Sequence, residues 1–326
     1  MLVKIIQTNL SVLTSGCCSK PKFKQTMKSA FGCFFVYTSA MTFTFTLRLN
    51  QRLAVFLSLI LLGACSTLKT PPERLASASG LAEQYDWQAQ SILTTDFDIM
   101  SYQPSKTADR YSLLTIYIEG DGLAWLTKRK ISSDPTPINP VGLKLALNHP
   151  QGNATYLARP CQYTGGKTAR NCNKHHWTDA RFSEQVIASS NEALNSLKDE
   201  FKAEQLQLVG YSGGGAVAAL IAARRDDVVK LITIAGNLDH QAWTTHHNIS
   251  PLTDSLNPAD YQQQLSKVKQ IHFVGDDDKV MPPFIARDFV AGLASNANAK
   301  AIVVPNQSHG CCWESIWAEL MSQQSK

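Results

Sequence analysis

The stretch "LQLVGYSGGGAVAALIAARR" (Leu206–Arg225) decides how this chain is read. An apolar run with β-forming residues meets Gly-Tyr-Ser-Gly-Gly-Gly, and small and apolar residues at helical spacing follow at once. Gly210-Tyr211-Ser212-Gly213-Gly214 has the form G-x-S-x-G, and it stands where a strand would turn sharply into a helix. Such a turn holds the Ser in a constrained backbone, so the residues two places to either side must be small. It also presents the hydroxyl at a helix N-terminus, where free N–H groups and the helix dipole favour developing negative charge. A phosphate-cradling loop would need a Lys after the glycines, and Ala216 and Val217 stand there instead.

A Ser hydroxyl is a weak nucleophile at neutral pH and needs a base, which in turn needs a group to orient it. Downstream, "FVGDDDKVMPP" places Asp276, Asp277 and Asp278 after an apolar run, and "VVPNQSHGCCW" places His309 after the last one. Each lies at the C-terminal end of an expected strand, where open α/β sheets bind their ligands. Of the other histidines, His272 falls inside an expected strand and reads as packing. His240, His246 and His247 precede the acid.

With these residues in view, the chain resembles the α/β-hydrolases over roughly residues 96–323. The resemblance implies an α/β fold with a mostly parallel central sheet and helices on both faces. It implies the chain order Ser, acid, His. The family pattern G-x-x-D-x-x-V-P matches Gly275, Asp278 and Pro282, with Met281 in place of Val, which selects Asp278. Ser212, Asp278 and His309 are then the expected catalytic residues. The expected oxyanion donors are the N–H groups of Gly213 and of Asp121, with Gly122 the rival to Asp121. "YIEGDGLAW" resembles the family's H-G-G-G loop, with Glu119 in place of His. The implied activity is hydrolysis of carboxylic esters of short or medium acyl chain through an acyl-enzyme, with no metal or organic cofactor. Two alternatives stand beside it: a catalytically silent envelope binding protein on the same fold, and a thioesterase or acyltransferase using the same residues.

Helical spacing over Glu73 to about Ile92 predicts a first helix. Apolar β-rich runs then alternate with helical patterns at 183–202, 213–225, 284–294 and 313–323, as a mostly parallel sheet requires. Residues 73–326 read as one domain, with inserts at about 160–182 and 237–261. The first insert carries Arg159, Lys167, Arg170, Lys174 and Arg181 at or within its ends. It reads either as a solvated loop or as a contact for an anionic substrate or headgroup. In the second, Trp243 and Leu252 are candidates either for a pocket floor or for a seal onto the core.

The formal charge of +5 misleads. Residues 1–64 carry seven Lys/Arg and no acid, and the remainder carries 24 Lys/Arg against 26 Asp/Glu, so no nucleic-acid partner is implied. Arg48 and Arg52 precede "LAVFLSLILL" (Leu53–Leu62), an apolar run too short to span a bilayer, followed by small residues. Leu62-Gly63-Ala64-Cys65 resembles a bacterial lipobox. That resemblance implies a lipid on Cys65, a tether over 65–72 and residence in the cell envelope. Ser66 points to the outer membrane, facing the periplasm. Met41 offers an alternative start with an ordinary signal-peptide flank. An exported chain can hold disulfides. Cys161 and Cys172 bracket "CQYTGGKTARNC" and are expected to pair, closing a loop of roughly a dozen residues worth about 3 kcal/mol. Zinc at these cysteines with His175 and His176 is the rival reading. Cys311 and Cys312 form a vicinal bridge or stay reduced.

Overall fold

Parallel strands buried on both faces need covering layers above and below, and the strands here show that burial directly. The computed structural model describes residues 68–106 and 111–324. The leader, the Met41 start and Cys65 lie outside them. In chain order the elements are α1 (Pro71–Glu83), β1 (Trp87–Leu93), β2 (Asp98–Pro104), β3 (Leu113–Ile118), β4 (Trp125–Thr127), β5 (Lys130–Ile131), α2 (Val141–Leu147) and β6 (Asn153–Leu157). There follow α3 (Glu184–Glu200), β7 (Gln205–Tyr211), α4 (Gly213–Ala222), β8 (Val228–Ile234), α5 (His240–His247), α6 (Gln262–Leu265), β9 (Lys269–Gly275), α7 (Pro283–Ala291), β10 (Ala299–Val304) and α8 (Trp313–Gln323).

Eight strands form one sheet in the order β1-β2-β6-β3-β7-β8-β9-β10. The run from β6 to β10 is parallel throughout, and β2 is antiparallel to both its neighbours. In β3, β6, β7 and β9 consecutive residues are buried, although successive side chains point to opposite faces, so helices cover both sides. Every residue of α4 is buried, which a helix apolar on all sides requires. Thr67–Lys326 form one compact unit, and the described core, from Ala78 to Met321, lies within it.

The first helix differs from the sequence reading at both ends. The helix expected over 73–92 ends at Glu83. Asp86 turns the chain at a φ of 58°, and Trp87–Leu93 pairs with β2 along its whole length. Pairing with the next strand across a short turn therefore outweighs the local helical spacing. The helix also begins at Pro71, inside the segment read as tether. Proline suits the first helical position, and the Glu73 carboxylate accepts the Thr70 N–H at 2.7 Å.

Candidate active site

The turn after β7 gives Ser212 a φ of 51° and a ψ of −121°, outside the regions an L-residue ordinarily occupies. Close packing forces this shape. A Cβ on Gly210 would lie 2.3 Å from the Gly214 carbonyl oxygen, and one on Gly214 would lie 2.3 Å from that of Ile118. The Ser212 N–H donates to the Ile234 carbonyl at 2.9 Å, anchoring the turn to β8.

His309 follows β10 and Asp278 follows β9, so three strand ends deliver three side chains to one place. His309 Nε2 lies 3.0 Å from Ser212 Oγ, and His309 Nδ1 lies 2.9 Å from Asp278 Oδ2. An ionised carboxylate only accepts, so Nδ1 carries the proton and neutral Nε2 is left to accept from the Ser. Asp278 is fully buried, and its Oδ1 accepts the N–H groups of Val280 and Met281, each at 2.8 Å. The Tyr211 hydroxyl donates to the His309 carbonyl at 2.9 Å, and Trp313 Nε1 donates to the same loop. Cys311 and Cys312 are joined to each other just beyond His309.

Gly213 is the first residue of α4, so its N–H has no acceptor within the helix. The 119–122 loop lies against it: a Cβ on Gly213 would stand 2.1 Å from Asp121 Oδ1. A bare carboxylate beside developing oxyanion charge would oppose the chemistry. Here two cations neutralise it, with Arg159 Nη1 at 3.1 Å and Arg181 Nη1 at 2.7 Å. Burial pushes the Asp121 carboxyl up, but Arg181 and Arg159 together outweigh this and hold it below the usual aspartate range. Glu119 is buried beneath the loop. Its carboxylate accepts the N–H groups of Gly120 (2.9 Å), Gly142 (3.1 Å) and Leu143 (3.4 Å), tying the end of β3 to the start of α2. Burial pushes its carboxyl above the usual range, and these donors partly offset the rise.

The first insert is thus more than a solvated loop. Cys161 and Cys172 form a disulfide across it, which commits both sulfurs and removes them as zinc ligands. Arg159 and Arg181 turn inward to Asp121, and Arg170 pairs with Asp98 at 3.0 Å, so three of the five cations are held by the protein's own acids. His176 packs edge-on against Phe97. His175 pairs with Asp179 at the surface, and with Asp254 they are the described residues whose ligand atoms cluster closely enough to share an ion. In the second insert the two candidates part company. Trp243 lines the cavity above Ser212, whereas Leu252 is buried in the core. That cavity has a volume of about 780 Å³, and Leu123, Ile138 and Met281 contribute to its walls. His272 is buried within β9, where its Nδ1 meets the Thr233 hydroxyl at 2.9 Å.

No protein-family model matches the sequence, and no curated protein does. Solved structures do match in shape. An alpha-beta serine hydrolase homologue from Coxiella burnetii superposes with a TM-score of 0.50 at 16% identity, over 72% of this chain and 94% of the other. Naproxen esterase (carboxylesterase NP) from Bacillus subtilis gives 0.52 at 10% identity, over 79% and 99%. A puromycin-hydrolyzing peptidase from Mycobacterium tuberculosis gives 0.51 at 12% identity, over 74% and 38%. The fold is that of the α/β-hydrolases. Within it, sequence reasoning missed the parts played by Glu119, Arg159 and Arg181. The acid in "EGDG" and the excess of arginine in the first insert were the only signals, and nothing local pairs them.

Proposed function

We propose that this chain is a serine hydrolase acting on carboxylic esters of short or medium acyl chain. The observation that carries this reading is the continuous hydrogen-bonded line from Ser212 Oγ through His309 to the buried Asp278 carboxylate, at 3.0 and 2.9 Å. Ser212 Oγ attacks the acyl carbonyl while His309 Nε2 takes its proton. Asp278 keeps the imidazole in the required tautomer and steadies the cation that forms. The N–H groups of Gly213 and Asp121 receive the oxyanion. His309 then protonates the departing alkoxide, leaving an acyl-Ser212. Water gives a proton to His309 and attacks the acyl group; the carboxylic acid leaves and the Ser hydroxyl is restored.

A cavity of about 780 Å³ suits a small-molecule or lipid-like ester. The esterase and the peptidase among the similar structures share this fold, so the fold by itself does not choose between ester and amide. On the same reading the enzyme works from the cell envelope, held by a lipid on Cys65, at the outer membrane and facing the periplasm. The leader pattern supports this, and loss of palmitate labelling in Cys65→Ala would test it. The catalytic reading is tested by a fluorophosphonate probe followed by peptide mapping. A single adduct on Ser212, absent from Ser212→Ala, is expected. No adduct on folded, oxidised protein would overturn the reading in favour of a binding role.

A further inference from the structure

Beside the cavity mouth stands a feature that the chemistry does not use. The β4–β5 hairpin runs "WLTKRKI" (Trp125–Ile131), and residues 125–130 are all exposed. It is a built element: Trp125 pairs with Ile131 and Thr127 with Lys130, and Thr127 Oγ1 accepts the N–H groups of Arg129 and Lys130 at 3.3 and 3.1 Å. Trp125 and Leu126 remain 42% and 39% exposed, and Trp125 also lines the cavity that holds Ser212. Lys128, Arg129 and Lys130 follow directly, and among the described residues none of them has an ion-pair partner. No acid occurs between Gly122 and Ser133, and the flanking Asp121 and Asp134 are taken up by Arg159, Arg181 and Arg74.

Water-exposed Trp and Leu beside three free cations match one kind of partner. An acidic lipid bilayer accepts an indole at its interface and attracts basic residues at its surface. The same rim carries Ile138 and Val280, at 45% and 44% exposure, and both line the cavity that holds Ser212. Trp125, Ile138 and Val280 are therefore exposed apolar residues that belong to the cavity's own lining.

We propose that the β4–β5 hairpin docks this protein onto an acidic phospholipid surface, with the cavity mouth facing the bilayer. The docking stands on the surface alone. Its consequence, that an amphiphilic ester enters the cavity directly from the bilayer, rests on the hydrolase reading.

Residues 67–326, the compact unit that contains the core, provide the test, since they lack the leader and Cys65. The unit is floated with vesicles of phosphatidylcholine, or of phosphatidylcholine mixed with phosphatidylglycerol, at increasing sodium chloride. Binding to the acidic vesicles only, weakening with salt, is expected. Each basic residue near such a surface is worth about fivefold in affinity, so Arg129→Glu/Lys130→Glu should lose on the order of 30-fold or more. Leu126→Ser should lose about tenfold through its apolar contact alone. Neither variant should change Ser212 labelling by a soluble fluorophosphonate, which also reports that each has folded. Ser212→Ala should bind vesicles like wild type, so docking is read even if the hydrolase reading fails. Equal binding to neutral vesicles, no binding to acidic ones, or wild-type affinity in both hairpin variants would overturn the proposal.

Discussion

The Asp121 carboxylate lies against the α-carbon of Gly213, so close that a methyl group there would stand 2.1 Å from Oδ1. The two residues proposed to supply the oxyanion N–H groups are therefore fitted to each other. Gly213→Ala cannot be accommodated by a small movement of Asp121, because Arg159 and Arg181 grip its carboxylate. The added methyl should drive the loop and the helix start apart and misplace a donor. Loss of one such donor costs about 100- to 1,000-fold in kcat. Steady-state kinetics on p-nitrophenyl butyrate should show that fall with KM little changed. A variant with wild-type kcat would remove Asp121 from the oxyanion site.

Asp121→Ala asks a different question. It leaves two buried guanidiniums side by side without their counter-charge. Breaking a buried ion group in this way costs about 3–5 kcal/mol. Urea unfolding should record the loss, and adding Arg159→Met should recover part of it by removing one stranded cation. A cost below about 1 kcal/mol would mean that water already solvates the cluster.

The Cys161–Cys172 bridge closes a short loop, with a sequence separation of 11, in the insert whose ends supply Arg159 and Arg181. Removing the bridge in Cys161→Ala/Cys172→Ala should cost about 3 kcal/mol by the chain-entropy account. Ester turnover should fall as well, because the insert holds the oxyanion loop. Equal turnover in the variant, measured well below its melting temperature, would separate the bridge from the site.

Stability should also depend on mild acid. Burial lowers the pKa of His272 from 6.5 to about 3. Above pH 6.5 the ring is neutral in both folded and unfolded chains, so its titration changes nothing. Between 6.5 and about 3 only the unfolded chain takes the proton, and stability falls with pH by at most about 1.4 kcal/mol per unit from this group. His149, lowered by burial to about 4, adds to the same slope. Denaturant midpoints measured from pH 7.5 downward should show the fall, and His272→Leu should flatten it. An unchanged slope in that variant would place the acid sensitivity elsewhere.

How legible each part was depended on the range of the forces involved. The elbow could be read because its constraint is local. Gly210 is excluded from bearing a side chain by Gly214 and Gly215 in the same turn, and five consecutive letters record the motif, although the partner that excludes a side chain from Gly214 is the distant Ile118. The sheet could be read because a strand covered on both faces is largely apolar, as "LQLVGY" is apart from Gln207. β1 could not, since Trp87–Leu93 has helical spacing and becomes a strand only by pairing with β2.

By itself, the sequence determined the class of fold, the strained Ser and the order of the Asp and His that follow it, because these follow from local sterics and strand-end placement. Tertiary structure alone decided that Arg159 and Arg181 turn inward to neutralise Asp121 and that Glu119 ties the end of β3 to the start of α2. It alone set Trp243, and not Leu252, in the cavity wall. Each of those outcomes joins residues from separate segments. Their chemistry is written at each position, but which charge meets which is chosen only when the sheet brings the segments together.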